Sequence, residues 1–147
     1  MYTNYNLKQH DINFIDNLPY QLGTTFDENN LGLELRKDYG VRQFYSSYRY
    51  TEVFLFGNFF ESVCYLWFEK GILSGIEYRF ANKYLEYFRD SINNDLPEGY
   101  KLISNLLKKG NPPTASIDNI IIKLVDLTEE FFLLTVSIEP KVLNSLP

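Results

Sequence analysis

The chain has one cysteine and one histidine in 147 residues. A lone cysteine, Cys64, excludes an intrachain disulfide and with it the cysteine-stapled frameworks of small secreted domains. Cys64 and His10 together supply too few soft donors for a structural zinc site. Nucleophilic catalysis would need His10, in a polar N-terminal stretch, to meet Cys64 or a distant serine. Cys64 lies between Val63 and Tyr65 in an apolar run and reads as a buried structural thiol. His10 reads as a surface side chain.

Other absences point the same way. The 8 glycines form neither a GxGxxG nor a GxxxxGK loop, so no phosphate cradle is encoded. The acidic residues lack the spacing of a calcium-binding loop. No apolar run approaches the roughly 18 residues of a membrane helix. The opening MYTNYNLKQH has neither the basic region nor the apolar core of a signal peptide. A basic stripe is missing: Lys108-Lys109 is an isolated pair, and the net charge of -5 disfavours a phosphate backbone. These features lead us to expect a cytoplasmic protein without cofactor, metal, membrane segment or direct nucleic-acid partner, and with no catalytic residues. Paired carboxylates assemble in space and not in sequence, so a carboxylate-based enzyme or small-ligand binder stays open as an alternative.

What the chain does have is aromatic residues: 12 Tyr and 12 Phe, within 45% hydrophobic and 22% charged residues. That composition supports a single globular domain over residues 1–147, with loosely ordered ends at 1–10 and 140–147. Residues 25–40 read as a helix, with Thr25 and Glu28 at capping-box spacing and Gly40 past the end. The rival reading is a strand, because Leu31, Leu33 and Leu35 also alternate with polar neighbours. Residues 41–56, 59–68 and 72–80 read as a meander, turning at Gly57-Asn58 and at Glu69-Lys70-Gly71. Helices are expected from Asn82 to about Asp95, with Asn82 as cap, and again from Pro97, with Tyr100, Ile103, Leu106 and Leu107 as the apolar side and Gly110 ending it. Residues 111–119 read as a loop, and 120–127 with 131–138 as a hairpin. Grouped strands and grouped helices define an α+β fold: a three-stranded antiparallel meander plus a C-terminal hairpin, packed with about three helices.

Period-two alternation sorts the meander into faces. Cys64, Leu66 and Phe68 point one way and join Ile76, Tyr78 and Phe80 in the expected core, with Ile72 on their side and Leu73 opposed. The reverse face carries Tyr65 and Trp67 with Glu61, Glu77 and Arg79, and the preceding strand adds Tyr45 and Arg49. Aromatics ringed by charges have the composition of a protein-binding surface. The same face would be a covered layer if the chain's own helices lie across it.

The run PYQLGTTFDENNLGLELRKDYG, followed by a meander closing on FEKGILSGIEYRF with Phe68, Gly71 and Leu73, resembles a layout of small bacterial proteins. In overall character the chain resembles the immunity proteins of bacterial contact-dependent and polymorphic toxin systems. That resemblance implies a compact, acidic, non-catalytic protein that binds a cognate toxin domain and occludes its active site. A toxin partner would be basic, drawn by the acidic surface. The alternative is a structural domain that uses the same face for self-association as a homo-oligomer.

Overall fold

The computed structural model describes residues 9–104 and 111–145. It is an α+β fold dominated by antiparallel sheet. Two one-turn helices come first, α1 (Asn13–Asp16) and α2 (Phe26–Asn29). Six strands follow: β1 (Leu33–Asp38), β2 (Arg42–Ser47), β3 (Glu52–Leu55), β4 (Asn58–Glu61), β5 (Val63–Glu69) and β6 (Ile72–Ala81). A 3₁₀ turn at Asn82–Tyr84 leads into the longest helix, α3 (Leu85–Asp95). Strands β7 (Thr114–Ile117), β8 (Ile120–Asp126) and β9 (Phe131–Ile138) precede a final short helix, α4 (Pro140–Asn144).

Seven strands make one sheet in the order β1-β2-β5-β6-β9-β8-β7, and β3 and β4 pair separately as a hairpin. Three tight turns build this pattern. Phe56-Gly57, Lys70-Gly71 and Asp118-Asn119 all hold positive φ, as two-residue hairpin turns of mirror-image type require. Each is flanked by directly paired strand residues: Leu55 with Asn58, Glu69 with Ile72, Ile117 with Ile120.

The inner sheet face holds the core. Cys64, Leu66 and Phe68 on β5 are buried beside Ile76, Tyr78 and Phe80 on β6 and Phe132, Leu134 and Val136 on β9. Helix α3 seals this face with Phe88 and Ile92, both 0% exposed. The Phe88 ring centroid lies 4.5 Å from Phe80, 5.2 Å from Phe132 and 4.9 Å from Phe60 of the β3–β4 hairpin. The N-terminal segment completes the layer with Phe14, Ile15, Leu18, Tyr20 and Leu22. The Phe14 N–H donates to the Asp95 carboxylate at 3.0 Å, tying α1 to the end of α3.

Several expectations are corrected. The capping box at Thr25 and Glu28 forms, but the helix stops after one turn and residues 33–38 become strand β1. The alternation of Leu33 and Leu35 wins once β2 is available as a pairing partner. The expected meander strands 41–56 and 59–68 each break in two, and the piece between forms the separate hairpin. The Asn82 side chain caps no helix; it donates to the Glu129 carbonyl. Residues 100–104 are not helical, and Ile103 bridges Thr114; the rest of that expected helix lies outside the described residues. Residues 114–117, expected in a loop, form edge strand β7. A bulge at Ser74 shifts register between Trp67 and Phe68, so Leu73 is buried and Ile72 turns outward, the reverse of plain alternation.

His10 is not a free surface side chain. Its Nδ1 lies 2.7 Å from Asp118 Oδ1, and the Gln9 and His10 N–H groups donate to Asp118 Oδ2. Burial pushes the Asp118 pKa up, but these hydrogen bonds outweigh it and hold the carboxyl below its ordinary value. Cys64 is 0% exposed, and burial pushes its thiol up to about 12, so it is inert as a nucleophile.

Candidate binding face of the sheet

The outer face of the same strands is built differently. On β5 the half-buried residues Val63, Tyr65, Trp67 and Glu69 alternate with the buried set. Register places Phe44 of β2 opposite Trp67, Arg42 opposite Glu69, and Glu77 of β6 opposite Tyr65. The result is a continuous aromatic run. Phe44 lies 4.5 Å from Trp67 and stacks on Tyr65 at 5.3 Å, and Tyr39 stacks on Trp67 at 5.9 Å.

Charges are fitted onto this run. The Arg42 guanidinium sits 4.3 Å from the Trp67 ring centre, a cation–π contact, with its Nε 3.9 Å from Glu69. The Trp67 Nε1–H donates to Glu77 Oε1 at 3.2 Å. Desolvation raises the Glu77 pKa against the lowering effects of that bond and of Arg42. Gly75 stands opposite Trp67, where an added Cβ would meet the Trp67 Cβ and Cδ1 at 3.5 Å. The indole therefore lies beside a bare stretch of backbone.

Beside the indole runs an open groove of about 550 Å³, lined by Arg42, Trp67, Glu69, Glu77, Lys123 and, from α4, Pro140 and Leu143. A second recess of about 350 Å³ is lined by Glu52, Glu61, Val63, Arg79 and Phe131. There the Arg79 guanidinium lies 4.6 Å from the Phe131 ring centre.

Of the residues singled out from the sequence, Tyr65, Trp67, Glu77 and Arg79 share this face. Glu61 reaches it from a different element: β4 ends at Glu61, before β5 begins, so Glu61 pairs with Glu52 and lines the second recess together with Arg79. Tyr45 is on the wrong side. It pairs with Leu66 and packs edge-on to Phe68 at 5.6 Å, within the inner layer. Arg49 lies beyond β2, over the Tyr50 ring at 5.2 Å and against Gly32, away from the face. The sequence reading missed Tyr39, Arg42, Phe44 and Lys123. Period-two phasing from Trp67 across the β2–β5 register finds Phe44 and Arg42, but that register is not written in β2 itself.

Among the described residues no group of three or more His, Cys, Asp or Glu side chains is arranged to hold a metal, and no helix is long and apolar enough to cross a membrane. No family model, curated protein or solved structure matches the chain.

Proposed function

We propose that this chain is a non-catalytic binding protein of the immunity type, which seats a protein partner on the outer sheet face around Trp67. The observation that carries this reading is the aromatic run Tyr39–Trp67–Phe44–Tyr65 on half-buried or exposed positions, ringed by Arg42, Glu69 and Glu77. Trp, Tyr and Arg dominate interface energetics, and they act best when already held in one geometry. Here stacking on Phe44 and Tyr39, the Arg42 guanidinium and the Nε1–Glu77 bond hold the indole before any partner arrives.

The net charge of -5 favours a basic partner and raises its encounter rate. In this reading the partner is a toxin domain, met in the cytoplasm and neutralised by occlusion of its active site. No covalent step is required, which agrees with an inert Cys64 and with His10 committed to Asp118.

The test is co-expression with the protein encoded by the adjoining gene, scored as cell survival and followed by titration of the purified pair. Protection that is lost in a folded Trp67→Ala variant supports the reading. Full protection by that variant, or no binding by the unaltered chain, sinks it.

A further inference from the structure

The two edges of the seven-stranded sheet are finished differently. The β7 edge is closed by the chain itself: Ile103 and Thr114 exchange both backbone hydrogen bonds, and Pro112-Pro113 precede the strand. Prolines and short edge strands are standard protection against further pairing. The β1 edge is longer. Glu34 through Asp38 are all exposed, and no described strand lies beyond them. Gly32 accepts from the Tyr48 N–H, so by alternation Leu33 and Leu35 turn their backbone groups away from β2.

A β-bulge gives this edge a specific pattern. Leu35 pairs with Tyr45 and Lys37 with Phe44, so Arg36 is the extra residue. In a regular strand, residues three apart point to opposite faces. The bulge instead puts Glu34, opposite Ser46, and Lys37, opposite Phe44, on the same outer face. Arg36 is engaged with Glu34 of its own chain at 3.6 Å. Lys37 approaches the Tyr39 ring and has no ion-pair partner among the described residues.

We propose that β1 is a homodimerisation edge, at which two copies pair antiparallel about a two-fold axis that sets Leu35 opposite Leu35 of the partner subunit, with Arg36 the bulged residue in each copy. That axis sets Glu34 opposite Lys37 of the partner subunit, and Lys37 opposite Glu34 of the partner subunit. Both ion pairs fall on one face, which the bulge alone makes possible. Leu33 meets Asp38 of the partner subunit, and both lie on the inner face. Exposed apolar side chains cluster along this edge: Leu35 at 50%, Tyr39 at 58%, Leu31 at 64% and Val41 at 67%. A self-complementary strand is what a two-fold interface demands. The joined sheets would carry the two aromatic faces side by side.

The test is sedimentation of the full chain from low micromolar to a few hundred micromolar. The unaltered chain should show a monomer–dimer equilibrium. Glu34→Lys sets two ammonium groups against each other across the axis, and Lys37→Glu sets two carboxylates together, so each alone should weaken the dimer by roughly tenfold or more. An equimolar mixture of the two variants re-forms one complementary set of ion pairs in the mixed dimer and should restore association. Leu35→Pro removes an outward N–H and should yield monomer with little change in melting temperature. A chain that stays monomeric throughout overturns the proposal. So does a dimer indifferent to both reversals, or a mixture that fails to recover association.

Discussion

The two faces of one sheet are made from the same strands by opposite means. On β5 the inner residues Cys64, Leu66 and Phe68 are within 1% of complete burial, while Tyr65 and Trp67, one position away, stay half-buried. The inner set is a thiol, an aliphatic side chain and a phenyl ring, all packed into the core cluster. The outer set is aromatic and charged, and it is held mainly by its own stacking. The lesson is that exposure here is organised: a face left without a covering layer has nonetheless been given stacked rings and paired charges. Truncation should therefore cost folding free energy on the inner face and partner affinity on the outer face.

The inner face should give the greatest loss. Leu66→Ala removes a fully buried side chain between two central strands, where relaxation is limited, and should destabilise by about 3–5 kcal/mol in chemical denaturation. A loss below about 1 kcal/mol would mean that the two faces do not differ as described. Trp67→Ala sharpens the contrast. Its half-buried ring loses contacts with Phe44 and Arg42, at a folding cost of about 1–2 kcal/mol. Binding of a partner seated on this face should fall at least roughly tenfold. A Trp67→Ala variant that melts like Leu66→Ala would make the indole a structural element and break the comparison.

A smaller effect belongs to the segment where helix and strand readings competed. Thr25→Ala removes the side-chain half of the capping box, in which Thr25 Oγ1 accepts from the Glu28 N–H at 3.3 Å. The expected loss is about 1 kcal/mol, measurable as a shift in denaturation midpoint with unchanged slope. No change would show that the backbone hydrogen bonds from the Phe26 N–H to the Gly71 carbonyl and from the Leu73 N–H to the Thr24 carbonyl hold the turn unaided.

How much of this was legible in the sequence depended on whether the deciding contact was local. The inner face of β5 was readable because alternation is a property of one strand. The capping box was readable for the same reason, but the length of its helix was not. Residues 33–38 are a strand because β2 pairs with them. The bulge at Ser74 reversed Ile72 and Leu73 without any break in composition. Tyr45 was placed on the wrong face because its phase is set by register with β5, and Phe44 took the position beside Trp67. In residues 111–119 the prolines drew the reading toward a loop. Asp118-Asn119 are the local signal for the turn, since both residue types tolerate the positive φ of a two-residue hairpin turn.

The smallest expected effects are in pH dependence, and they carry opposite signs at two carboxyl groups. Asp118 is held below its ordinary value of 3.8. Its contribution to stability is complete above that value and is lost as pH falls through the lowered folded-state pKa. Asp118→Asn, which keeps a residue tolerant of positive φ, should lower the melting temperature at neutral pH and narrow its gap to the unaltered protein in acid. Glu77 is raised above its ordinary 4.5, because desolvation outweighs the bond from Trp67 and the charge of Arg42. The folded protein then holds this proton more tightly than the unfolded chain. Stability falls as pH rises from the ordinary value to the raised one, and ionised Glu77 is a net cost above it. Glu77→Gln keeps an acceptor for Trp67 Nε1 and removes that cost. Its melting temperature relative to the unaltered protein should climb as pH is raised from about 4 toward neutrality. If the difference stays flat with pH, solvent reaches the Glu77 carboxylate freely, and the outer face is more open around Trp67 than the indole's fixed geometry implies.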